Sequence, residues 1–253
     1  MYFSSVVAVL PDNEPCNTAL HRFNRRRSTR MTSEQNAMDP FDQLLDGVAK
    51  FTNSVFPEKR DHFARLAAGQ HPHTLFITCA DSRIVPEMIT QTAPGDMFVC
   101  RNIGNIVPAY GEMMGGVSAI VEYAVVALGV SHVVVCGHSD CGAMKGLLQA
   151  DDPTLKRMPT VSSWLRNAEA ARSVVDALHP DLEGSAKVQA LVEQNIRLQL
   201  QHLRTHPAVA AREADNSLKL HGWVYDIENG GVVTLDEVGG GSKAIEVSGT
   251  AAR

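Results

Sequence analysis

The chain has 253 residues, 44% of them hydrophobic, 20% charged and 6% aromatic, the balance of an ordinary globular protein long enough to bury a sizeable core. Its net charge of −5 argues against nucleic acid as the main partner. No apolar run approaches the roughly 20 residues of a membrane helix, since Glu122 and Tyr123 interrupt the nearest stretch, Val121–Val130.

Residues 1–37 mix prolines and polar residues with Arg22, Arg25, Arg26, Arg27 and Arg30 and hold no sustained period. They read as a disordered extension, or as residues ahead of a later start at Met31 or Met38. A nucleic-acid arm or a targeting segment is the weaker reading, given Asp12 and Glu14. The opening MYFSSVVAVLP has no basic residues before its apolar run and makes no convincing signal peptide. Residues 38–253 read as a single domain.

Asp39-Pro40 predicts a capped helix start, followed by Phe41, Leu44, Leu45, Val48, Phe51 and Val55 at helical spacing. A second helix fits 58–68. Strands are expected at 74–79 and 96–100 with a short helix at 86–91 between them, then a small-residue helix over 115–128. Ser131–Gly137 is a continuous apolar run of the kind found in a strand buried on both faces. Helices fit 141–149, 161–178 and 184–204; on the last, Val188, Leu191, Val192, Ile196 and Leu203 share one face. Strands 220–227 and 232–236 flank Asn229-Gly230, a strong hairpin signal. The Gly-, Ser- and Ala-rich residues 239–253 are expected to fray. Strands alternating with helices give an α/β fold: a mainly parallel sheet with an antiparallel edge strand, flanked by helices.

The cysteines are Cys16, Cys79, Cys100, Cys136 and Cys141. An odd, sparse set is no disulfide framework and reads as intracellular, cytoplasmic thiols kept reduced for metal or catalysis. Cys100 and Cys136 sit within apolar strands and are assigned to the core. Two segments remain: Cys79-Ala80-Asp81-Ser82-Arg83, ending the first strand, and Gly137-His138-Ser139-Asp140-Cys141, ending the central one. In parallel sheets ligands bind at the carboxyl ends of strands, so Cys79 could meet His138 and Cys141 there. Two thiolates and an imidazole suit zinc better than magnesium, calcium or manganese, and three protein ligands leave a fourth position open. A lone His-x-x-Cys is a weak signal; the joint pattern carries the argument. Arg83 can grip Asp81 by charge-assisted hydrogen bonds and keep it ionised. Asp81 then either accepts a proton from zinc-bound hydroxide or binds the metal itself and closes the open position.

These motifs resemble the β-class carbonic anhydrases, above all the bacterial members encoded beside cyanase. The likeness runs through most of residues 39–237 and includes PGDMFVCRNIGNIVP at 94–108, GGVSAIVEYAV at 115–125 and HGWVYDIENG at 221–230. It implies Zn2+ on Cys79, His138 and Cys141, an Asp81–Arg83 catalytic dyad, and reversible hydration of carbon dioxide to bicarbonate and a proton by zinc-bound hydroxide. It also implies a homodimer or higher multiple, a tetramer being favoured, in which the first helices wrap the neighbouring subunit and the sites lie at the dimer interface. Gln70 and the cleft residues Phe98, Ile103 and Tyr123 match the plant-like subtype with a constitutively open site. The gated subtype carries a Trp where this chain has Phe76, although its Arg and Tyr partners resemble Arg101 and Tyr225. The His that plant members offer after the helix Tyr is matched by Ala127, which leaves the proton shuttle unassigned. The remaining histidines show no ligand spacing. Two other readings share these residues: a hydrolase of carbon disulfide or carbonyl sulfide on the same scaffold, and a non-catalytic scaffold protein stabilised by zinc.

Overall fold

The computed structural model describes residues 38–111, 115–149, 151–235 and 241–245. The proposed extension 1–37 lies outside the described residues. The chain divides into two compact units between Arg60 and Asp61.

In the first unit, helix α1 (Pro40–Lys50) starts as its sequence predicts. Asp39 Oδ1 accepts from the Phe41 amide at 2.8 Å, and Pro40, with no amide hydrogen to satisfy, takes the first position. A wide turn (Phe51–Val55) and a single helical turn (Phe56–Glu58) follow. The apolar stripe of α1 is uncovered: Phe41, Leu44, Leu45 and Val48 are all at least half exposed.

The second unit opens with α2 (Arg60–Ala67) and is built on six strands: β1 (Thr74–Cys79), β2 (Met97–Asn102), β3 (His132–His138), β4 (Lys219–Tyr225), β5 (Val232–Leu235) and β6 (Ser242–Ala244). Their order is β2-β1-β3-β4-β5-β6. The first four run parallel; β5 and β6 run antiparallel. β6 corrects the expected fraying at residues 242–244, which pair with β5, so the hairpin strand is not the edge and the sheet carries two antiparallel strands; residues 239–240 and 246–253 of that tail lie outside the described residues. The backbone amides and carbonyls of β5 find partners there, and a Gly/Ser/Ala composition does not forbid an extended strand.

The helices are α3 (Pro86–Thr90), α4 (Gly116–Glu122) with a wide turn at Tyr123–Ala127, α5 (Gly142–Leu148), α6 (Pro153–Lys156), α7 (Pro159–Leu165), α8 (Glu169–Leu178), α9 (Gly184–Thr205) and α10 (Pro207–Ala214). The single helix expected over 161–178 is broken. Asn167 Nδ2 donates to the Trp164 carbonyl, and Ala168 leaves helical geometry at φ −109°, ψ 5°. Helices α6 and α10 had no strong apolar period to reveal them; each begins on a proline at its first turn.

β1 is buried along its whole length and β3 along all but its first residue, which is why both read as unbroken apolar runs. One face of the sheet, with Leu75, Ile77, Val133, Val135 and Val224, joins the core that Val188, Leu191, Val192, Ile196 and Leu203 of α9 complete. The helix comes so close to β3 that a Cβ on Gly137 would lie 2.9 Å from Ile196 Cδ1. A smaller cluster on the other face gathers Phe76, Val134 and Cys136 against Trp223, with the Phe76 and Trp223 rings 5.9 Å apart, edge to face. Cys100 and Cys136 are core residues, as expected. Ile196→Ala, at a fully buried position in the α9 seam, is expected to cost about 2–5 kcal/mol. Urea unfolding measures this; a loss within 0.5 kcal/mol would mean that the seam is not close-packed.

Candidate metal centre

β1 and β3 are adjacent and parallel, so their carboxyl ends lie side by side. That brings Cys79 and His138 to one edge of the sheet, and the turn after His138 returns Cys141 to the same place at the threshold of α5. Asp140 makes that turn with φ 60°, in the left-handed region that an Asx side chain tolerates. The Cys79 Sγ, a ring nitrogen of His138 and the Cys141 Sγ all lie within 4.8 Å of one another, and all three residues are buried.

The imidazole is oriented. His138 Nδ1 lies 2.8 Å from the Ser139 carbonyl, which accepts only if Nδ1 carries the proton; the lone pair then sits on Nε2. Nε2 is buried with no hydrogen-bond partner. A buried ring nitrogen without a partner is costly, and beside two sulfurs it fits a metal ligand. The donor set, two sulfurs and one imidazole, is zinc's.

The Cys141 thiol hydrogen-bonds to Cys79 and, against burial and with help from His138 and the amides of Gly104 and Asp81, brings the Cys79 pKa down to about 4. The same contact, together with burial, pushes Cys141 up. Burial opposes the charged form of His138, but the Cys79 sulfur, the Ser139 carbonyl and Asp81 outweigh it and raise its pKa. The core thiols differ: burial alone pushes Cys136 up to about 12 and also raises Cys100.

Asp81 and Arg83 form the expected fork. Arg83 Nε donates to Asp81 Oδ1 at 3.0 Å, Nη2 to Oδ2 at 2.8 Å, and the Arg83 amide to Oδ1 at 2.9 Å. Those bonds hold the carboxyl far below the usual carboxylate range. Asp81 therefore stays an acceptor through the neutral range and adds no titration step there. Its Oδ2 lies 3.9 Å from His138 Nε2.

Several supporting contacts were not visible in the sequence, which had singled out Arg101 only by its likeness to the gated subtype. Arg101 donates to the carbonyls of Cys79 (3.2 Å) and Asp81 (2.6 Å), stitching the end of β1 to β2. Asp140 accepts from Arg83 at 3.4 Å and from Lys145. Trp164 Nε1 donates to the Ile103 carbonyl at 2.8 Å. A cleft of about 1130 Å3 opens beside the dyad, with Arg83, Ser139, Asp140 and Lys145 in its wall.

The remaining expected residues fall into two places. Ile103 follows Asn102, whose Cα partner in the sheet is Cys79, so it belongs to the metal edge. Gln70 precedes β1 and is exposed. Phe98 is opposite Leu75, four residues ahead of Cys79 and about 13 Å from it along the strand. Tyr123 is half exposed, with its ring 5.9 Å from that of Phe98. Gln70, Phe98 and Tyr123 therefore belong to the amino edge of β1 and β2, away from their own chain's metal ligands.

Residues 74–232 match the family model described as "Carbonic anhydrase". A carbonic anhydrase of Pseudomonas aeruginosa is 51% identical over 193 residues, covering 76% of this chain and 86% of that one. The solved β-carbonic anhydrase CcaA superposes with a TM-score of 0.79 at 45% identity over 81% of this chain and all of that one. One of two tetrameric β-carbonic anhydrases of Sordaria macrospora gives a TM-score of 0.70 at 30% identity, over 81% of this chain and 98% of its own.

In protein stripped with a chelator and alkylated at pH 6, Cys79 is expected to react faster than Cys100 and Cys136, and zinc is expected to protect it. Peptide mapping by mass spectrometry reads the three sites; equal rates would contradict the lowered Cys79 pKa.

Proposed function

Because this chain belongs to the β-class carbonic anhydrases, zinc enzymes that interconvert carbon dioxide and bicarbonate, we propose that Cys79, His138 and Cys141 hold its zinc and that Asp81 and Arg83 are its catalytic dyad. The observation that carries the assignment is the buried, unpartnered Nε2 of His138 facing two sulfurs. Zinc bound there supplies a Lewis-acidic centre able to bring the pKa of water near 7.

The protein's own groups do the rest. Arg83 occupies both oxygens of Asp81 from one side, and lone pairs remain on the other. Being ionised, Asp81 can only accept, so a reacting water must point its hydrogen at the carboxylate and turn its lone pair toward carbon dioxide. Held by Arg83, Asp81 would leave the fourth position of a zinc on Cys79, His138 and Cys141 to solvent. This supports the open subtype. Two further observations agree: Phe76 stands where the gated subtype carries Trp and is packed on Trp223, and Arg101 is engaged by two backbone carbonyls.

Gln70, Phe98 and Tyr123 serve substrate in a second copy of the chain. Phe98 and Tyr123 offer apolar walls for a nonpolar gas, and Gln70 offers an amide donor for an oxygen of carbon dioxide or bicarbonate. Ile103, next to Asn102 at the metal edge, serves the site of its own chain. The working unit is then a homodimer or a multiple of it, and a tetramer fits the assembly named for the Sordaria macrospora proteins. The exposed stripe of Phe41, Leu44, Leu45 and Val48 on α1 is the surface such an assembly would cover. Residues 38–253 act as one catalytic domain.

Cys141→Ser is expected to lose zinc and with it carbon dioxide hydration, read by metal analysis and stopped-flow pH-indicator kinetics; full occupancy and normal turnover would remove Cys141 from the ligand set. Asp81→Asn is expected to keep zinc and lower kcat/KM at least tenfold, because the amide donates where only acceptance is productive. Normal turnover in that variant would dismiss the orienting role. Co-expression of Cys141→Ser chains with Gln70→Ala chains tests the shared site. Mixed dimers are expected to regain activity that neither variant has alone; no recovery would place Gln70 in its own chain's site.

A further inference from the structure

Helix α9 carries two amides where its pattern calls for apolar side chains. Asn195 and Gln199 are 1% and 0% exposed and lie among Leu191, Val192, Ile196, Leu200 and Leu203. Burying an amide costs free energy unless each polar atom finds a partner. These two find theirs on each other and on one loop. Gln199 Nε2 donates to Asn195 Oδ1 at 2.8 Å, across one helical turn. Asn195 Nδ2 donates to the Gly104 carbonyl at 3.1 Å, and Gln199 Oε1 accepts from the Val107 amide at 2.9 Å.

The loop so held is unusual. Gly104 has φ 76° and Asn105 has φ 48°, so two successive residues lie in the left-handed region. The space at Gly104 admits no side chain, since a Cβ would meet Ala143 Cβ at 2.9 Å. Asn102 brackets the loop by accepting from the Ile106 amide at 2.8 Å and donating to its carbonyl at 3.0 Å. Gly104 comes two residues after Asn102, the sheet partner of Cys79, and lies against Ala143, two residues past Cys141, so the strained turn abuts both cysteines, and its amide is among the groups that lower the Cys79 pKa.

We propose that Asn195 and Gln199 are positioning residues for the metal centre: by clamping the 104–107 loop from α9 they aim the Gly104 amide at Cys79 Sγ and hold that sulfur in the geometry that binds zinc. The inference rests on the zinc assignment of the preceding subsection. An amide hydrogen bond to a thiolate ligand fixes its direction and tempers its charge, and such outer partners are worth about 10–100-fold in metal affinity. The sequence holds the signal: a pair of amides spaced i, i+4 inside an apolar stripe is either a folding defect or a built hydrogen-bond device.

The test uses the full-length protein. Asn195→Leu keeps volume and helix propensity but leaves the Gly104 carbonyl without its donor. Gln199→Met removes the outer link of the same chain and stands in if the first variant fails to fold. Leu203→Ala, buried on the same helix without a polar contact, is the control for lost stability. Zinc affinity is read by competition with a chromogenic chelator, and the sulfur-to-metal charge-transfer band is read in cobalt-substituted protein. Asn195→Leu is expected to weaken zinc binding about tenfold and change the cobalt band; Gln199→Met is expected to do the same to a smaller degree, and Leu203→Ala to do neither at an equal loss of Tm. Folded Asn195→Leu or Gln199→Met with the original affinity and spectrum would overturn the proposal, as would an equal weakening in Leu203→Ala. Failure of the unmodified protein to bind zinc would instead overturn the zinc assignment.

Discussion

The site depends on the parallel pairing of β1 with β3. Parallel strands end at the same edge, and only there can Cys79 and His138, about 60 residues apart in sequence, present sulfur and nitrogen to a common point. An antiparallel pairing would send them to opposite edges. The pairing is specified by burial: β1 and β3 are covered on both faces, so neither strand can slip in register without exposing a continuous apolar run.

Around that point the protein spends its polar groups on orientation. Every donor or ligand atom near the metal edge is held by another group: His138 by the Ser139 carbonyl, Asp81 by Arg83, and the Cys79 and Asp81 carbonyls by Arg101. The exceptions are His138 Nε2 and, in the adjoining 104–107 loop, Asn105 Nδ2, which are buried without a hydrogen bond; of the two only Nε2 faces the sulfurs. Two sulfurs and an unpartnered ring nitrogen facing one point fit a cation better than an organic ligand, because the cation can satisfy all three at once. The Asp81–Arg83 pair is part of the same economy. Exposed as Arg83 is, the pair adds little to stability; its effect is to fix the charge state and direction of one carboxylate.

The sheet also separates two functions by length. Ligands and dyad gather at the carboxyl edge of β1 and β3, while Phe98 and Tyr123 meet at the amino side. A strand of six residues is too long for side chains at one end to reach the other. A single chain therefore holds these two groups of residues at opposite edges of its sheet.

The sequence by itself determined the strand positions, the capped start of α1, the hairpin and the core placement of Cys100 and Cys136, and it singled out the candidate metal residues and the Asp81–Arg83 pair, because each rests on local pattern: period, caps, turn chemistry or ligand type. Boundaries mostly agreed to within one or two residues. The breaks in local pattern were hidden, such as the interruption at Ala168, where a side chain competes with the backbone, and the strand at 242–244, which exists only because β5 offers an edge. Gln70, Phe98, Ile103 and Tyr123 were recognisable as a set by resemblance, yet their distribution between the two edges of the sheet was not, because register between β1 and β2 is a tertiary fact. The roles of Arg101, Asn195 and Gln199 were likewise decided by the fold, since a buried amide or guanidinium takes its meaning from the partner that three-dimensional packing brings within hydrogen-bond reach, and nothing along the chain specifies that partner.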